Sequence, residues 1–169
     1  MGMMNPASAE KREQAAAWPM KWHKFLTWFF LFVLALGAVW NGVTLLIDGL
    51  FNLSGTADHL MVGAGAGRGM FLLFSLLNFG LTALLLYTRS RLAIYGKNGP
   101  LMLYLALWAS PLLTLVFDLC FALALDGSLS MMLQAGRLPT LAGNLALALV
   151  LFLASRTYYK KRAQLFTEE

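Results

Sequence analysis

Apolar residues run along this chain in four long stretches, Phe25–Ile47, Gly69–Tyr87, Leu101–Leu125 and Leu138–Ser155. Each approaches the roughly 20 residues that a helix needs to cross a bilayer core of about 30 Å. The first, second and fourth carry no charge, and the third carries Asp118 alone. The first stretch is too long and too far into the chain for a cleaved signal peptide, and no A-x-A-like site follows it. It therefore reads as a retained helix. The pattern predicts an all-α integral membrane protein, an up-and-down bundle of four transmembrane helices. Residues 25–155 form its membrane domain, between a tail at 1–24 with interfacial Trp and Lys and a basic tail at 156–169. Asn98-Gly99-Pro100 is a turn signal with proline in the first turn of the third helix, and Pro139 opens the fourth in the same way. The GAGAGRG stretch at Gly63–Gly69 follows no strand and lacks Lys-Ser/Thr, so it reads as outer loop rather than phosphate cradle.

The polar exceptions inside the apolar runs are as patterned as the runs. Each predicted helix holds one residue that hydrocarbon rejects: Asn41, Asn78, Asp118 and Asn144. At about 1.5 Å of rise per residue, all four fall in the outer half of the bilayer, within roughly 5 Å of one another in depth. They extend into stripes at steps of three and four: Gly37, Asn41, Thr44 and Asp48; Ser75, Asn78 and Thr82; Ala106, Ser110, Thr114 and Asp118; Thr140, Asn144 and Ala148. Such a seam of small and polar residues is expected to glue helices together through close approach and interhelical hydrogen bonds. Asp118 carries a second reading. A charged aspartate at a helix centre costs about 2.5–3.5 kcal/mol, so a functional carboxylate stands beside the structural one. Either way Asp118 is expected to face the bundle interior near Asn41, Asn144 or an outer arginine.

Charge fixes the expected direction of insertion. Eleven of the 13 lysines and arginines lie in the two tails and the middle loop: Lys11, Arg12, Lys21, Lys24, Arg89, Arg91, Lys97, Arg156, Lys160, Lys161 and Arg162. The other two loops hold Arg68 and Arg137, beside the acidic Asp48 and Asp126. The positive-inside rule then puts both termini in the cytoplasm. Trp18, Trp22, Trp28, Tyr87, Tyr95, Tyr104, Tyr158 and Tyr159 gather at that same interface, where amphipathic rings are favoured. The net charge of +5 points to membrane phosphates rather than nucleic acid, because the basic residues flank apolar runs. Arg156, Lys160, Lys161 and Arg162 form the expected headgroup anchor, with a plain stop signal as the alternative.

Composition narrows the function classes. Hydrophobic residues make up 59% of the chain and charged residues 12%, which excludes an ordinary cytosolic enzyme and a disordered chain alike. The single cysteine, Cys120, excludes an intrachain disulfide and a Cys-based zinc site, and reads as a small buried hydrophobe. His23 and His59 fall at or outside the interface, with no paired carboxylates or H-E-x-x-H within the spans. No catalytic residue, metal or cofactor is expected. The expected role is that of a non-enzymatic accessory or interaction protein, with a membrane-protein partner or a second copy as the open alternatives. A small transporter or channel subunit using the polar layer around Asp118 is the second reading. Asp48-Gly49 with Ala66-Gly67-Arg68, and Asp126-Gly127 with Ala135-Gly136-Arg137, frame the two outer loops alike. A duplicated hairpin and chance both explain that likeness.

Two cytoplasmic segments, Lys21-Trp22-His23-Lys24-Phe25-Leu26 and Arg89-Ser90-Arg91-Leu92-Ala93-Ile94-Tyr95-Gly96-Lys97-Asn98-Gly99-Pro100, carry a resemblance. The chain is similar there to a group of small four-helix bacterial membrane proteins with a K-[WY]-x-K-F-L entry and an R-x-R-L-x-x-[FY]-x-K-N-G-P turn. Some members have an N-terminal zinc ribbon, for which Met1–Pro19 lacks the cysteines. The resemblance implies a bacterial inner membrane and the four-span topology, and it brings no activity with it.

Overall fold

The computed structural model describes residues 20–56, 63–126 and 137–166. Four helices are long and apolar enough to cross a membrane, and no strand occurs among the described residues. They are α1 (Lys21–Phe51), α2 (Ala64–Ala93), α3 (Gly99–Asp126) and α4 (Arg137–Lys160). His59 and the Gly127–Gly136 half of the suspected repeat lie outside the described residues.

All four helices run past the apolar stretches that predict them. The Gly63–Gly69 stretch, expected as loop, is helical from Ala64 onward. It contains no proline, so the glycine penalty of about 1 kcal/mol per residue is the sole local obstacle to helix there. Gly63 itself, at φ 86°, makes the turn that an L side chain resists. At its other end α1 stops where Asn52 enters the left-handed region and donates its N–H to the Asp48 carbonyl at 2.9 Å. The Asp48 carboxylate accepts from the Ser54 N–H at 3.1 Å, so this predicted outer-loop charge holds the loop after α1.

Near its start α1 is not a plain α-helix. Phe25–Phe30 wind as a π-helix, an arrangement that places an extra residue in the turn. Arg89 of α2 supports it: its Nε donates to the Thr27 carbonyl at 3.1 Å, and its guanidinium lies 4.9 Å from the Trp28 ring centre.

The helices pack in chain order. α1 lies along α2, α2 along α3 and α3 along α4, whereas α1 and α4 make no comparable contact. α2 is the inner element: 39% of its most apolar window is enclosed by protein, against 17–22% for the others. The α1–α2 seam consists of Ala35, Ala38, Gly42 and Gly49, all buried. It lies about 100° around the helix from the predicted Gly37–Asn41–Thr44 stripe. A Cβ on Gly42 would sit 3.1 Å from the Phe79 ring, and one on Gly49 2.8 Å from the Leu72 side chain. Glycine is thus required there by close approach, as in other small-residue membrane seams. Outward faces carry large apolar side chains such as Trp40, Leu76 and Val150, which suit hydrocarbon.

The seam predicts a contrast between two glycines. Gly49→Val should lower the midpoint of SDS-induced unfolding, by the equivalent of about 1–3 kcal/mol for overpacking. Gly37→Ala, with no atom within 4 Å of the new Cβ, should not lower it. Equal loss from both would mean that α1 and α2 do not meet at this seam.

Candidate functional site

The polar positions of α1, α2 and α3 meet around a cavity of about 510 Å³. Asn41, Thr44, Asn78, Ser110 and Thr114 line it, together with apolar side chains. A second cavity of about 260 Å³ lies between α1, α3 and α4 and takes in Asn144. Asn41, Ser110 and Thr114 border both, so the two spaces share a polar wall. Pro111 borders the second cavity and is buried inside α3. The layer is therefore not closed by packing. Because α1 and α4 do not pack, Asn41 and Asn144 are exposed at the surface of the bundle.

Several of these polar groups are satisfied by hydrogen bonds to backbone carbonyls. Asn78 Nδ2 donates to the Phe74 carbonyl at 2.8 Å, Thr82 to Asn78 at 3.0 Å, Thr44 to Trp40 at 3.0 Å and Thr114 to Ser110 at 3.2 Å. Each bond returns to the preceding turn of its own helix. Ser75 differs: fully buried, its hydroxyl crosses to α1 and donates to the Gly42 carbonyl at 2.7 Å. That is the interhelical bond which the small-residue seam permits.

Asp118 is half-buried on α3 and lines neither cavity. Arg68 is exposed near the start of α2, and the side chains of Asp126 and Arg137 lie outside the described residues. Cys120, expected to be buried, is exposed. Its α3 neighbour Ala122 takes the buried place, packing with Leu141 of α4. Among the described residues, no three His, Cys, Asp or Glu side chains come together.

At the end of the bundle that carries both termini, a feature appears that sequence reasoning missed. His23 is 4% exposed, and its Nδ1 lies 3.1 Å from the Tyr159 hydroxyl of α4. The imidazole stacks on Tyr95 at 5.1 Å between ring centres and meets Phe166 edge-on at 6.0 Å. Tyr95 holds φ 56°, a left-handed conformation unusual for a bulky residue. It occupies the position where glycine normally ends a helix, with Gly96 N–H on the Arg91 carbonyl and its own N–H on Leu92. Beyond α4 a single 3₁₀ turn, Ala163–Leu165, brings Leu165 and Phe166 into this buried cluster. The aromatic residues in the sequence pointed to an interface, but not to three other segments converging on one histidine.

The predicted anchor residues divide between two faces of this end. Arg156 and Lys160 line one pocket together with Lys97 and Tyr104, and Lys161 and Arg162 line another beside Tyr158. Arg162 covers the Tyr158 ring at 3.9 Å. No family model, curated protein or solved structure matches the chain.

The cluster predicts the effect of removing one oxygen. Tyr159→Phe keeps the ring but leaves His23 without that bond, and should cost about 0.5–1.5 kcal/mol in the same unfolding assay. Tyr159→Ala should cost clearly more, because the ring is 2% exposed. Equal stability of Tyr159→Phe and the parent would show that packing alone joins these segments.

Proposed function

We propose that this chain is a multi-pass protein of the bacterial cytoplasmic membrane, with both termini inside, that works as a non-enzymatic accessory protein. In this reading, the cleft between α1 and α4 receives a transmembrane helix of a partner protein. The observation that carries it is the exposure of Asn41 and Asn144 on the two walls of that cleft. Lipid tails offer an amide nothing to bond, whereas a neighbouring helix with polar or small residues offers both bonding and close approach. The orientation rests on the distribution of Lys and Arg.

A specific observation also favours the second reading, a small transporter. A 510 Å³ space lined by five polar side chains is large enough for a small solute. On that cavity wall a solute meets Asn41, Asn78 and Ser110.

A photoreactive residue placed in living cells tests the proposal. At Asn41 or Asn144 it should give one protein adduct of constant mass, and at the outward-facing Leu76 and Val150 it should give none. A second copy would appear as a dimer. In the same cells, Lys97→Cys on a Cys120→Ser background should label from the cytoplasmic side. Lipid adducts alone at all four positions would overturn the accessory role, and labelling of position 97 from outside would overturn the orientation.

A further inference from the structure

The basic residues at the termini end are not a diffuse charge cloud. Lys97, in the turn between α2 and α3, converges with Arg156 and Lys160, one turn apart on α4, around a pocket of about 250 Å³. Tyr104, one turn into α3, faces the same space. Tyr159 and Phe166 also line it, and both are buried in the cluster around His23. Pro100 also borders the pocket, at the start of α3, where the helix dipole adds positive potential. Three cations around one small space repel one another unless an anion joins them. The acidic residues among those described are Asp48, Asp118 and Asp126, and all belong to the far halves of α1 and α3. No carboxylate among the described residues is placed to neutralise this pocket.

We propose that Lys97, Tyr104, Arg156 and Lys160 form a binding site for a phosphate ester. Arg156 and Lys160 supply charge-assisted hydrogen bonds to the phosphate oxygens, and Lys97 closes the ring of charge from the opposite segment. The Tyr104 hydroxyl supplies a neutral donor or acceptor, suited to the glycerol portion next to a phosphate. The pocket sits where helix ends meet the interface, so a lipid headgroup and a soluble phosphate ester both present the required chemistry. Lys161 and Arg162 have no part in it, although they are adjacent in sequence, because they line the other face. This site does not depend on the partner-helix reading above.

Binding of dihexanoyl-phosphatidylglycerol and dihexanoyl-phosphatidylcholine to the full-length protein in maltoside micelles tests the proposal, with glycerol 3-phosphate as the soluble probe. The phosphatidylglycerol should bind more tightly than the phosphatidylcholine. Arg156→Gln and Lys160→Gln should each weaken it about tenfold, the loss expected for one charged hydrogen bond. Lys161→Gln, which removes the same charge one residue away, should leave it unchanged. Lys97→Gln, in an exposed turn outside the helix packing, should also weaken binding without altering the melting temperature. Glycerol 3-phosphate competing at comparable concentration would identify a soluble ester as sufficient. Binding of the lipid alone would identify the headgroup with its chains. Equal weakening by Lys160→Gln and Lys161→Gln would overturn the site in favour of a diffuse anchor, as would equal affinity for the two lipids. Crosslinking through position 41 should be the same in all these variants, so failure here and failure of the accessory role are distinguishable.

Discussion

One buried contact ties the end of α4 directly to the start of α1, His23 against the Tyr159 hydroxyl, between residues 136 positions apart. Within hydrocarbon, helices gain little from hiding apolar surface from one another, because lipid tails are equally apolar. What holds them is close packing and hydrogen bonding. α1 and α2 have both, through Gly42, Gly49 and the Ser75 bond. α1 and α4 have neither along their length. They are joined at the termini end, where Tyr95 and Phe166 enclose the imidazole and the Tyr158 hydroxyl reaches the Met20 sulfur at 3.3 Å. The left-handed Tyr95 belongs to this arrangement. Strain of that kind persists where surrounding contacts over-determine the backbone, and stacking on His23 is one such contact.

From that join the bundle opens. The main buried cluster, from Met20 and Leu26 to Leu103 and Phe166, occupies the termini half, and a far smaller one centred on Ala122 and Leu141 serves the other. Phe71, Phe74, Phe117 and Phe121 link α2 to α3 in that second half. The cavities open between these regions, bordered by polar groups that mostly bond within their own helices. Bonding of Thr44, Asn78 and Thr114 to their own helices satisfies those groups without packing the layer shut.

Much of this was legible in the sequence. The four spans follow from apolar run length, and the polar stripe of α1 does share a cavity with Asn78, Ser110 and Thr114. The packing seam was not read, because Ala35, Ala38, Gly42 and Gly49 resemble ordinary apolar filler until a neighbour's ring is seen 3.1 Å away. Their spacing of three, four and seven was the available signal. Local sequence shows His23 only as interfacial, because it cannot show that the turn between α2 and α3 and the end of α4 come back over it. The division of the basic tail between two faces is equally tertiary, since Lys160 and Lys161 differ by one residue and about 100°.

The aromatic contact at one end sets the spacing of α1 and α4 across the open cleft. Double electron–electron resonance in nanodiscs measures this directly, with spin labels at the exposed positions Val39 and Leu147 on a Cys120→Ser background. The parent should give one narrow distance distribution. Replacing both His23 and Tyr159 by alanine should broaden it towards longer distances, while a Val43–Leu77 pair across the α1–α2 seam stays unchanged. An equally narrow, unshifted Val39–Leu147 distribution in the alanine variant would contradict the claim.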